Sequence, residues 1–240
     1  MGLDIEMPTP PWKKPRKATT PRRPLSQELI VTTAIRILDA EGLDAVSMRR
    51  VAQELDTGPA SLYAHVSNKD DLLELMLDRV AGEIEVPAEP DPARWQDQFR
   101  EIARNSQRVW TAHADISRVS LARIPTGYNQ LRIGEALLGI LLAGGIPPKV
   151  AAWALDRLAL LIDADAYEAS VYGARMKQGF DPETYFTHIQ DYYRNLPPER
   201  FPHATSMVDA LMEGDGTERF EFGLELFIRG LASYAEDAGK

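Results

Sequence analysis

Cysteine is absent from the 240-residue chain, which excludes a disulfide framework and thiolate metal sites and suits a cytoplasmic protein. No apolar run is long enough to span a bilayer. The longest, over residues 136–145, is interrupted by Gly139 and ends in Gly144-Gly145. The N-terminus lacks the charged-then-apolar pattern of a secretory signal. Alternating strand patterns, internal repeats and βαβ spacing are all missing, which leaves helices. No Gly-rich phosphate loop, H-x-x-x-H pair or supported Ser-His-Asp set occurs, so the reading is of a non-enzyme with no metal and no cofactor. Positive charge is also in deficit: the formal net charge is −9. Six basic residues (Lys13, Lys14, Arg16, Lys17, Arg22 and Arg23) nonetheless crowd into residues 1–26 against Asp4 and Glu6. The acidic excess therefore belongs to the rest of the chain, and a basic face remains available to an anionic partner.

What is present centres on residues 47–69. Ser47 is a good helix N-cap, and Val51, Ala52 and Leu55 follow on one helical face. Asp56-Thr57-Gly58 breaks the pattern with residues that tolerate left-handed backbone. Pro59 suits the first position of a new helix. Leu62 and Val66 turn that second helix inward, leaving Ser61, Tyr63, His65 and Lys69 outside. Two short helices about a tight turn, the second with small and polar residues outward, make a helix-turn-helix, whose second helix is built to enter a DNA major groove. Arg49, outward on the first of the two helices, reaches toward a base edge; Arg to guanine is the commonest specific pairing. Ser47 and Lys69 stand at helix N-termini, where free N–H groups and the helix dipole attract phosphate.

The stretch Leu55-Asp-Thr-Gly-Pro-Ala-Ser-Leu-Tyr-Ala-His-Val-Ser-Asn-Lys69 resembles the signature of the TetR (tetracycline-repressor) family of transcription regulators, with the likeness extending over residues 25–80. The family usually has Gly where Asp56 stands and Ser or Thr where Gly58 stands. The resemblance implies that Arg49, Pro59, Ala60, Ser61 and Tyr63 face bases or neighbouring phosphates, and that Ser47, His65 and Lys69 hold the phosphate backbone.

The proline-rich basic segment 1–24 reads as a disordered arm that either adds unspecific DNA affinity or makes no fixed contact. Residues 25–85 form the DNA-binding domain. Its first helix is capped by Ser26, with Leu25 and Ile30 as a hydrophobic staple, and is ended by Gly42. Its last helix opens on the capping-box-like Asn68-Lys-Asp-Asp71. Three prolines within residues 86–92 mark a boundary. Beyond it, residues 93–240 read as a larger helical domain, with helices over 93–112, 116–121, 126–143 and 147–172. Further helices run from Pro182 behind the N-cap Asp181, over 204–212, and over 217–236. The helices at 149–172 and 217–236 are apolar on more than one side, so each needs cover from its own core and from a second copy of the chain, as a four-helix bundle in a homodimer.

The aromatic residues Phe99, Trp110, Tyr128, Trp153 and Tyr167 are individually explained by core packing; that some line a ligand cavity is what the resemblance implies. His113-Ala-Asp115 reads as a cap or surface pair, and Asp156, Asp163, Asp165 and Glu168 as solvated acids or partners of residues such as Arg157. The expectation is thus an all-α repressor with an N-terminal helix-turn-helix and a larger ligand-binding and dimerisation domain, bound to double-stranded operator DNA and released by a mostly apolar inducer. The alternative is a constitutive DNA-binding regulator, or an activator, with no ligand.

Overall fold

The computed structural model describes residues 24–237, apart from Ala114 and Ala122. The basic arm expected over residues 1–24 lies, save for Pro24, outside them. The regular structure among the described residues is all helix, with no strand: α1 (Gln27–Glu41), α2 (Met48–Glu54), α3 (Pro59–Leu62), α4 (Lys69–Ala81), α5 (Trp95–Ala112), α6 (Ile116–Ser120), α7 (Tyr128–Ala143), α8 (Pro148–Lys177), α9 (Pro182–Arg194), α10 (Pro202–Ser206), α11 (Val208–Met212) and α12 (Gly216–Asp237).

Local chemistry sets most of these boundaries. Ser26 Oγ accepts from Leu29 N–H at 3.2 Å and Ser47 Oγ from Arg50 N–H at 3.1 Å, each satisfying a helix-start donor that has no partner within the helix. α1 stops at Gly42, whose φ of +84° few other residues adopt cheaply. Asn68 Oδ1 accepts from Asp71 N–H at 2.9 Å while Asp71 Oδ2 accepts from Ser67 N–H at 2.7 Å. This is a reciprocal cap on α4, with the return bond one residue further out than in the usual box. Asp181 caps α9 through Glu183 N–H at 3.1 Å.

Three features depart from expectation. α8 continues past Tyr172 to Lys177. The weak helix at 204–212 is two short helices meeting at Met207. In the helix-turn-helix, Asp56 alone takes the left-handed conformation (φ 49°), while Gly58 is extended at φ −82°, ψ 147°.

One hydrophobic cluster runs unbroken from Ile30 in α1 through Leu72, Met76 and Val80 of α4, Phe99 and Ile102 of α5 and Leu158 of α8 to Leu231 of α12. α4 packs on α1 on one side and on α5, α6 and α7 on the other. The proline-rich stretch between α4 and α5 is pinned to that body. The buried amide of Gln98 donates to Glu89 O at 3.0 Å and accepts from Asp91 N–H at 2.8 Å, and Arg132 Nη2–H donates to Ile84 O at 2.8 Å.

Candidate DNA-binding face and ligand cavity

α2 and α3 bury Met48, Val51, Ala52 and Leu62 in the core they share with α1 and α4. That leaves Arg49, Pro59, Ala60, Ser61, Tyr63 and Lys69 exposed on one side, with Ser47 and His65 half-buried among them. Arg49, Asp56, Gly58 and Pro59 border a shallow groove between the two helices. α3 is a single turn, continued by His65 and Val66 N–H donating to Leu62 O. Gln27 Nε2–H donates to His65 O at 3.2 Å, tying the end of this segment to the start of α1.

Two adjacent arginines have opposite fates. Arg50 is held between α1 and α2, donating to Glu41 Oε1 at 2.6 Å, Glu41 Oε2 at 3.3 Å and Glu54 Oε2 at 2.7 Å. These carboxylates push its pKa up, and Arg50 in turn lowers that of Glu41. Arg50 is a brace, and Arg49 is the arginine presented outward.

The second feature is a cavity of about 560 Å³ walled by α5, α7, α8 and the α6–α7 connection, reaching Ala81 and Ile84 at the foot of α4. Ile133, Leu137, Leu155, Leu158 and Ile162 make it largely apolar; Ser106, Ser120, Arg123, Gln130, Asp156 and Asp163 supply its polar groups. Asp163 is the deepest acid, 3% exposed. Its Oδ1 accepts from Trp110 Nε1–H at 2.8 Å. Burial outweighs this bond and one from Ser120, pushing the carboxyl up to about 6.

Of the five candidate aromatic residues, Trp110 lines this cavity and the other four do not. Phe99 is fully buried in the core, stacked on Phe227 with centroids 6.0 Å apart. Tyr128, Trp153 and Tyr167 face outward, at 77%, 64% and 40% exposure, and the Lys149 ammonium lies over the Trp153 ring at 4.5 Å.

Several side chains join the DNA-side helices to the cavity-bearing body, among them Asp78, His113 and Asp115. Asp78 of α4 caps α7, its Oδ1 accepting from Asn129 and Gln130 N–H at 2.8 and 3.1 Å. His113 Nδ1 lies 3.1 Å from both oxygens of Asp39 in α1, and its Nε2 lies 3.3 Å from Glu83 Oε2. Asp115, in left-handed backbone, accepts from Leu43 N–H at 3.2 Å and from Ser170 Oγ–H at 2.7 Å. His113 and Asp115 are therefore inter-helix ties.

The family model "Bacterial regulatory proteins, tetR family" matches residues 30–76, and "Tetracyclin repressor-like, C-terminal domain" matches residues 87–234. The chain belongs to the TetR family. Among solved structures it resembles apo ActR from Streptomyces coelicolor, with 42% identity and a TM-score of 0.82 over 90% of this chain and 99% of that one. ActR in complex with actinorhodin matches with 43% identity and a TM-score of 0.79, over 87% and 95% of the two chains. Among named relatives, the HTH-type transcriptional repressor DrrR1 of Streptomyces coeruleorubidus is 29% identical over 218 residues, 90% of this chain and 80% of that one. The tetracycline repressor protein class E of Escherichia coli is 28% identical over 214 residues, 89% and 93% of the two chains.

In this TetR-family chain the polar cavity residues Ser120, Arg123 and Asp163, and the α4–α7 link at Asp78, are the functional candidates that spacing alone misses. Asp163 carried one signal, since it adjoins the buried row Ala151, Ala154, Leu158, Ile162 and Ala166. Its expected solvation is corrected: the nearby Arg157 pairs with Asp156 instead.

Proposed function

We propose that this chain is a homodimeric transcriptional repressor that leaves its operator when a small molecule, mostly apolar with one or two polar groups, enters the cavity. One observation carries the reading: the cavity reaches Ala81, the last residue of the same helix whose head, Lys69, borders the outward polar face, and Ile84 just beyond it. A ligand between α5, α7 and α8 thus touches the element that sets the pose of the helix-turn-helix. Two recognition helices meet successive major grooves only when their separation is near one DNA turn, about 34–36 Å. A small swing of α4 in each protomer spoils that match. A ligand releases DNA only if it favours the mismatched arrangement.

The named relatives support this. DrrR1 and the class E protein are named repressors, and ActR is known in complex with actinorhodin. On the outer sides of α8 and α12, Trp153, Phe222, Leu226 and Tyr234 are exposed, an apolar surface suited to a second copy. Arg49, Pro59, Ala60, Ser61 and Tyr63 would read or flank bases, with Ser47, His65 and Lys69 on phosphates. A regulator of this kind works in the cytoplasm, where its DNA is.

The test is reciprocity. Compounds found by thermal shift are titrated with and without operator DNA. A hundredfold loss of operator affinity corresponds to about 2.7 kcal/mol of coupling, and operator must weaken the ligand by the same factor. A cavity-bound ligand that leaves operator affinity unchanged contradicts the reading for that ligand.

A further inference from the structure

Arg123 belongs to two places at once. It lines the cavity, and among the described residues it is the single basic one that does. Its guanidinium also grips α4, donating Nη1–H to Glu74 Oε1 at 3.1 Å and Nη2–H to Asp70 Oδ1 at 3.3 Å. Asp70 and Glu74 lie one helical turn apart beside Lys69, at the DNA end of α4.

The two kinds of partner are unequal. The side chains of Asp70 and Glu74 are 81% and 54% exposed, that of Arg123 28%. Ion pairs between such groups are weak, because water solvates the carboxylates almost as well. An acid group inside a largely apolar cavity has lost much of that water, and a guanidinium fork suits a carboxylate with two parallel bonds.

Resting on the reading of this cavity as the inducer site, we propose that Arg123 recognises a carboxylate of the ligand, and that its transfer from Asp70 and Glu74 to that carboxylate is what links an acidic ligand to α4. The exchange leaves Asp70 and Glu74 without their cation at the helix end nearest the phosphates, where bare negative charge opposes DNA. A neutral molecule of the same shape fills the same apolar walls and leaves both pairs in place. The other acids in the wall orient the ligand. Asp156 is engaged by Arg157, whereas Asp163 repels an anion from the inner end, so the acid group points to Arg123.

The probes are anthracene-2-carboxylate and its carboxamide, equal in shape and different in charge. They are titrated at neutral pH against the wild-type chain, Arg123→Gln and Asp70→Asn/Glu74→Gln, each with and without operator. The acid is expected to bind the wild type about tenfold more tightly than the amide, and only the acid to lower operator affinity. Arg123→Gln should bind both probes alike. Asp70→Asn/Glu74→Gln, which frees Arg123 in advance, should bind the acid more tightly than the wild type does. Equal binding of the two probes, an acid preference that survives Arg123→Gln, or DNA release by the amide overturns this proposal and leaves the inducer cavity standing. Failure of both probes to bind overturns the two together.

Discussion

Trp110 and Asp163 are joined across the cavity wall: the indole Nε1–H of α5 donates to the carboxylate Oδ1 of α8 at 2.8 Å. The bond spans the pair of helices most extensively packed together. It fixes the indole edge-on to the carboxylate and leaves the acid's remaining acceptor capacity to Ser120 and to whatever occupies the cavity.

This acid makes stability depend on pH. Its folded-state pKa of about 6 lies above the ordinary value of 3.8, so folding takes up a proton between the two. The sign follows: its contribution is complete below about pH 4 and is lost as pH rises through about 6. That rise corresponds to about 3 kcal/mol. Asp163→Asn should remove that dependence, so that melting temperatures of variant and wild type diverge from pH 4 to pH 7 in favour of the variant. Parallel curves would show that Asp163 ionises as freely in the fold as outside it.

On the DNA face, Arg49→Ala and Tyr63→Ala should lower discrimination between operator and mutated operator by about 1–3 kcal/mol each. Lys69→Ala should weaken all sequences alike and reduce the salt slope by about one. Arg50→Ala, although next in sequence to Arg49, should leave the salt slope nearly unchanged, because its charge is spent on Glu41 and Glu54. Fluorescence anisotropy titrations over a salt series separate the three behaviours. If Arg50→Ala flattens the slope as much as Lys69→Ala does, the division between Arg49 and Arg50 is wrong.

Gly58 caps α3 with no side chain, in extended backbone any residue adopts, and an added Cβ meets nothing within 4 Å. Gly58→Ser supplies an N-cap oxygen and stiffens the unfolded chain. It should raise stability by about 0.5–1 kcal/mol, read as a shift in the denaturant midpoint at constant slope. A fall in stability would mean that the turn strains when it carries a side chain.

Packing also sorts the substitutions that would test the dimer. Leu158 is 2% exposed and Phe227 stacks on Phe99, so a glutamate at either unfolds the protomer. Phe222 and Leu226 are 68% and 55% exposed on the far side of α12. Leu226→Glu should yield a folded monomer by sedimentation velocity with its circular dichroism intact. A variant that still sediments as a dimer moves the interface away from α12.

The parts legible in the sequence are those decided within a few residues. Ser26, Ser47, Asn68 and Asp181 cap helices because a side-chain oxygen reaches a nearby N–H, and the helix-turn-helix is read from its own turn and two short faces. The parts that were not legible depend on a neighbour far along the chain. Trp153 and Tyr167 share a helix with Leu158 and Ile162, and on a helix apolar all round, periodicity cannot say which side meets the core. Asp163 becomes a buried acid because α5 covers it with Trp110. Even in the turn, residue type misleads: Asp56 takes the left-handed position while the more permissive Gly58 does not, because Gly58 must already be extended to start α3. The three prolines at 86–92 suggest a loose boundary, and Gln98 and Arg132 tie that region down from α5 and α7.

The unbroken core has a consequence for how such a protein can be recombined. Leu72, Met76, Val80 and Ile84 are buried partly by α1 and partly by helices beyond residue 92. A chimera cut at the prolines would give α4 a foreign surface to lie on, and its reading head would inherit a tilt chosen by another ligand chamber. New sensor–operator pairings in this lineage therefore require α4 to travel with the chamber it leans on, or its lower face to be redesigned along with the join.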